Sequence, residues 1–234
     1  MSNSQDEKCV DGAEDLELNF HRFLLQNRVW ILLVALAAHI GLTPLISQSP
    51  LLEVFIEIGL ILACVITATD TRKHFILAMS FGIPAAILYI IAHFTQSREL
   101  AWTAYFLNLL LYLHVIRLFM RKIFECKVVS LNTIGMALCT YILIGSLWMM
   151  FYIPVYSLHP EAFHFSISPP QDHGVSAVFT YFSYVTLTTL GYGDISPVSE
   201  LARALAVLEA LTGTLFLAVL ISRLVGSYSN NNPQ

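Results

Sequence analysis

Apolar positions along this chain gather into long uninterrupted blocks, not into the stripes of an amphipathic soluble fold. Five such runs extend from Val29 to Ser47, Leu51 to Thr69, Phe75 to Phe94, Leu100 to Met120 and Leu131 to Ile153. Crossing the hydrocarbon core of a bilayer takes roughly 20 apolar residues in a helix, so each run is predicted to span. The pattern then breaks at a polar stretch punctuated by Pro154, Pro160, Pro169 and Pro170, which reads as an exposed loop because proline interrupts the helical hydrogen-bond ladder. A shorter apolar run from Val175 to Leu190 follows, quickly interrupted by glycine, and reads as a re-entrant helix. The last run, Leu201 to Val225, is again long enough to cross. The pattern therefore predicts an all-α membrane protein with four peripheral transmembrane helices, followed by a two-helix module that carries the re-entrant segment.

Composition strengthens that reading. Hydrophobic residues make up 56% of the chain and charged residues only 12%, about half the charge of a soluble domain, and the mean hydropathy is +0.69. The net charge of -4 comes largely from an acidic leader containing Asp6, Glu7, Asp11, Glu14, Asp15 and Glu17. That leader lacks the basic start and short apolar run of a cleavable signal peptide, and is expected to be retained in the cytoplasm. No basic patch points to nucleic acid. Cys9, Cys64, Cys126 and Cys139 show no metal-ligand spacing and imply no disulfide framework.

Lysine and arginine set the orientation, because cytoplasmic loops retain positive charge. A cytoplasmic leader places Lys8, Arg22, Arg28, Arg72, Lys73, Arg117, Arg121, Lys122, Lys127 and Arg223 inside, and only Arg98 and Arg203 outside. The expected organisation is a leader at 1–27, four spanning helices in 28–127, the two-helix module in 128–226 and a short cytoplasmic tail at 227–234. Both termini are then cytoplasmic, in a plasma membrane of bacterial type.

The run Thr188-Thr189-Leu190-Gly191-Tyr192-Gly193-Asp194 sits between the re-entrant helix and the last span. Alone, a Gly-x-Gly with flanking threonines is an ordinary turn, and it lacks the lysine of a nucleotide loop. In this position it resembles the signature of tetrameric potassium channels, Thr-Val-Gly-Tyr-Gly in its commonest form, with Leu190 in place of valine. The resemblance is strongest over the last third of the chain, and small bacterial channels are the nearest kind. It implies a selectivity filter in which backbone carbonyls of Thr189, Leu190, Gly191, Tyr192 and Gly193 replace the water shell of a potassium ion. The ion is permeant, and no cofactor or enzymatic activity is implied. Carbonyls that point the same way require alternate left-handed residues, a role for Gly191 and Gly193. One such strand cannot enclose an ion, so a homotetramer in membrane lipid is implied.

The resemblance also assigns supporting roles. Tyr181 and Phe182 stand where many relatives have paired tryptophans, and the Tyr181 hydroxyl is expected to reach Asp194. Thr188 is expected behind the filter; Glu209, read from the residues alone as an ionisable group within the last span, is expected either to bond Thr186 or Thr188 there with a raised affinity for its proton, or to lie close enough to the loop to reach water. Tyr192 is expected to pack away from the pore. Gly213 lies mid-span at the position of a gating hinge, although a glycine there also serves close helix packing. His159, His164 and His173, with Glu161 and Asp172, decorate the outer loop as solvated side chains or as proton or metal ligands. His39 and His93 read as packing residues.

Four spans before a pore resemble a voltage-gated layout, but a sensor must move about three to four charges per subunit. The fourth run carries only His114 and Arg117, in its cytoplasmic half, with Arg121 and Lys122 just past its cytoplasmic end. Glu53 and Glu57, one turn apart in the second run, are the sparse acidic counterparts. Weak or absent voltage dependence is expected, with a voltage-gated channel as the alternative. Readings from other classes are a secondary transporter, which usually shows paired interrupted segments, and a non-conducting channel-like subunit. Any cytoplasmic ligand-sensing domain is expected to be a separate chain.

Overall fold

A computed structural model describes residues 26–42, 50–69, 71–126, 130–166 and 174–230. Helix α1 is described over 26–41, and α2 runs Pro50–Thr67, α3 Arg72–Thr95 and α4 Arg98–Glu125. Helix α5 (Leu131–Leu158) leads through a 3-10 turn, Pro160–Ala162, into strand β1 (Phe163–Phe165). Helix α6 (Val175–Leu187), strand β2 (Ile195–Pro197) and helix α7 (Glu200–Asn230) complete the chain.

Among the described residues, four helices are long and apolar enough to cross a membrane: α3, α4, α5 and the Glu200–Arg223 part of α7. Val54–Thr67 and Val175–Leu187 are shorter apolar helices. The predicted first run extends past Leu42 into residues outside the described ones, as do the acidic leader and Asp172 and His173 of the outer loop. The expected end of the fifth span at Ile153 is corrected, because α5 continues through Pro154 to Leu158. Proline costs a helix one hydrogen bond and a clash with the preceding turn. Here the chain tolerates it one turn from the helix end, where His159 N–H still closes on the Val155 carbonyl at 2.9 Å. Residues 227–230, expected in a tail, continue α7.

The helix boundaries follow from local chemistry. Ser130 starts α5 with a capping box, its hydroxyl accepting from Thr133 N–H while the Thr133 side chain accepts from Ser130 N–H. Thr71 caps α3 by accepting from His74 N–H, and Gln96 ends it in the left-handed region at φ 53°. Leu32, Leu36, Leu60, Cys64, Leu111 and Val115 form the buried core of the four-helix region. In a bilayer such helices associate by close packing, since lipid chains are as apolar as leucine.

The two three-residue strands pair antiparallel, Phe163 opposite Pro197 and Phe165 opposite Ile195. Ser166 N–H donates to the Asp194 carbonyl at 2.8 Å, and Val198 N–H to that of Ala162 at 2.8 Å. The segment after the glycine-rich run is thereby fastened to the end of α5, an element that helical periodicity alone does not reveal.

Candidate functional site

The site is built where α6 stops. Leu190 N–H closes on the Val185 carbonyl and Thr189 N–H on that of Thr186, both at 2.9 Å. Those two bonds form the Schellman arrangement that ends a helix, with Thr189 in the left-handed position usually held by glycine. Its φ is 58°, a strained conformation for a β-branched residue. Gly191 and Gly193 follow with φ of 58° and 81°. Positive φ thus recurs at 189, 191 and 193, every second residue. The sequence pointed to the two glycines only, because threonine carries no composition signal for this backbone region.

Helix α7 approaches this terminus as closely as backbone allows. A Cβ placed on Gly213 would run into the carbonyl oxygen of Leu187, the last residue of α6. Tyr141 of α5 donates to that same oxygen at 3.4 Å. Gly213, expected as a hinge or a close-packing glycine, lies against the end of α6. On α5, Gly145 plays the same part for the Tyr184 ring, whose hydroxyl donates to the Ile142 carbonyl at 2.9 Å.

Beside the glycine-rich run, Tyr181 donates to Asp194 Oδ2 at 2.7 Å, while Asp194 Oδ1 accepts from Ile195 N–H at 3.0 Å. That bond pushes the Tyr181 hydroxyl up to about 12, because the carboxylate disfavours losing its proton. Phe182 has no polar partner to find. It is buried instead among aromatic rings, 4.9 Å from Tyr152 and 5.6 Å from Phe163 between centroids, in edge-on arrangements that add to burial. Thr188 turns its hydroxyl back onto the Tyr184 carbonyl at 2.7 Å.

Glu209 corrects an expectation. It is fully buried, and its carboxyl meets Ser183 and Tyr152, each at 2.5 Å, not Thr186 or Thr188. Ser183 lies one turn earlier on α6, on the face that α7 and α5 both cover, whereas Thr188 points its hydroxyl along its own helix. Tyr192 is 67% exposed, so the described residues of its own chain cover only the smaller part of it.

Residues 162–229, from the turn before β1 to near the end of α7, match a family model described as ion channel. The chain carries an ion-channel domain. No curated protein matches the chain. The matched segment holds the arrangement from Phe163 to Gly213, while Tyr141, Gly145 and Tyr152 of α5, which pack against it, lie before the match.

The remaining expected residues lie outside the channel domain or on its rim. His114 is buried with its ring 5.4 Å from that of His74. Arg117 is exposed, and Arg121 pairs with Glu125 one turn on at 2.7 Å. Glu57 faces the buried His39 at 3.8 Å, and His93 stacks edge-on with Phe94. His159 and Glu161 form an exposed pair at 3.4 Å, and among the described residues no cluster of three His, Cys, Asp or Glu could hold a metal ion.

Proposed function

We propose that this protein is one subunit of a potassium-selective channel, with four copies around one pore and residues 189–193 as the filter. The observation that carries this reading is the alternation of left-handed backbone at Thr189, Gly191 and Gly193. Alternation of hand turns successive carbonyls toward the same side of an extended strand, which gives a dehydrated cation a column of oxygens. The α6 helix ends immediately before that column, so the negative end of its dipole faces the cation path.

Fourfold assembly follows from the same chemistry. One chain supplies one wall of the column, and Leu190, Tyr192, Leu211 and Leu215 leave an exposed apolar face for other copies. The sequence pattern supports six crossings with both termini cytoplasmic. The shortage of basic residues in the upper half of α4 supports weak voltage dependence.

Reconstitution of the purified protein alone into liposomes tests the reading. Potassium-selective unitary currents are expected. Equal permeation of sodium, saturable coupled uptake or no flux would each count against it.

A further inference from the structure

We infer that Glu209 holds a proton and acts as a neutral carboxyl joint that positions α5, α6 and α7 against one another. The inference starts from a count of hydrogens. Three oxygen-oxygen contacts meet at this carboxyl and its partner serine. Tyr152 Oη lies 2.5 Å from Glu209 Oε2, Ser183 Oγ 2.5 Å from Glu209 Oε1, and Ser183 Oγ 2.7 Å from the Gly145 carbonyl oxygen. Each contact needs one hydrogen between its oxygens. Tyr152 and Ser183 bring one hydroxyl hydrogen each, which satisfies two contacts. The third comes from the carboxyl itself.

The arrangement that satisfies every atom runs in one direction. Tyr152 donates to Oε2, Glu209 donates from Oε1 to Ser183 Oγ, and Ser183 passes its own hydrogen to the Gly145 carbonyl. An ionised carboxyl would leave either the Glu209–Ser183 contact or the Ser183–Gly145 contact as two acceptors facing each other without a hydrogen.

The surroundings agree. Glu209 is fully buried, and an isolated carboxylate in an apolar interior is far costlier than a neutral acid. Helices α5 and α6 contain no Lys, Arg, His, Asp or Glu, and α7 has no other charged residue between Arg203 and Arg223. The titratable groups facing the carboxyl are the phenols Tyr141 and Tyr152 of α5 and Tyr184 of α6. No cation on these elements compensates a negative charge.

The joint connects residues that shape the channel domain. Ser183 is one turn before the end of α6, Gly145 seats the Tyr184 ring, and Glu209 is one turn before Gly213. A neutral carboxyl there ties both neighbours of α6 to it through a single side chain.

The test compares Glu209→Gln with Glu209→Leu in the purified full-length protein, and adds infrared spectroscopy of the wild type. Glutamine reproduces the neutral acid, with its amide donating to Ser183 and its carbonyl accepting from Tyr152. Glu209→Gln is expected to keep the yield and melting temperature of the wild type, whereas Glu209→Leu lowers both. The wild type is expected to show a protonated-acid carbonyl band that Glu209→Gln lacks. A Glu209→Gln protein that unfolds or melts as early as Glu209→Leu would overturn the inference, as would a protonated-acid region unchanged between wild type and Glu209→Gln. Neither readout depends on ion selectivity, so this result stands or falls apart from the proposed conduction.

Discussion

Tyr181 donates across 2.7 Å to the Asp194 carboxylate and so bridges the middle of α6 to the residue that follows Gly193. Both ends of the glycine-rich run are therefore anchored, the near end by the helix terminus at Thr189 and the far end by this bond. Phe182 contributes packing and no second donor, so the bridge rests on Tyr181. Replacing Tyr181 with Phe is expected to loosen the run and make channel current decline faster under sustained activation. Patch recording of Tyr181→Phe against wild type checks it, and a steady current in the variant would remove the bridge from the account.

The same bond sets a pH limit. The bridge requires the neutral phenol, whose ordinary value near 10 is pushed up to about 12. Its contribution is complete below about pH 10 and is lost as pH rises through about 12. Channel behaviour that depends on Tyr181 is expected to be flat across neutral pH, and to change only in the strongly alkaline range, in wild type but not in Tyr181→Phe.

Gly213 makes a prediction that separates packing from hinging. Alanine usually favours a helix interior over glycine by about 1 kcal/mol. Here its Cβ would meet the backbone oxygen of Leu187, and overpacking of that kind costs about 1–3 kcal/mol. Gly213→Ala is expected to lower the melting temperature of the protein. A hinge without close contact would instead give an equally or more stable protein with altered gating.

Arg223 of α7 donates to the carbonyls of Phe124 and Cys126 at 2.8 and 2.6 Å, capping the end of α4. A cation at a helix C-terminus contributes roughly 0.3–1 kcal/mol when exposed. Arg223→Ala is expected to speed amide exchange in the last turn of α4, and Arg223→Lys to restore part of the protection. Unchanged exchange in Arg223→Ala would show that the cap is dispensable.

Arg117 is exposed on α4, and the only other basic residues above it in that helix are the buried His114 and Arg98 at its start. Neutralising it as Arg117→Gln is expected to leave a shallow conductance-voltage curve unchanged. A steep curve that flattens in the variant would make α4 a sensor.

Much of the architecture was legible in the sequence because the bilayer imposes a simple demand. Every backbone polar group in lipid must be paired within its own segment, so long apolar blocks mean helices, and the blocks at Leu131 and Leu201 did become α5 and α7. The glycines at 191 and 193 were legible for a similar reason, since few other residues accept positive φ. Thr189 was not, because its left-handed backbone is imposed by two closing hydrogen bonds at the end of α6 and runs against its own preference. Pro154 misled for the opposite reason, its local rule being overridden by the helix around it. Which oxygen Glu209 meets, and that Gly213 lies under Leu187, depended on the rotation of three helices about their axes. A run of apolar residues fixes where a helix lies in a membrane but carries little information about which side it turns to its neighbours, and only packing decided that.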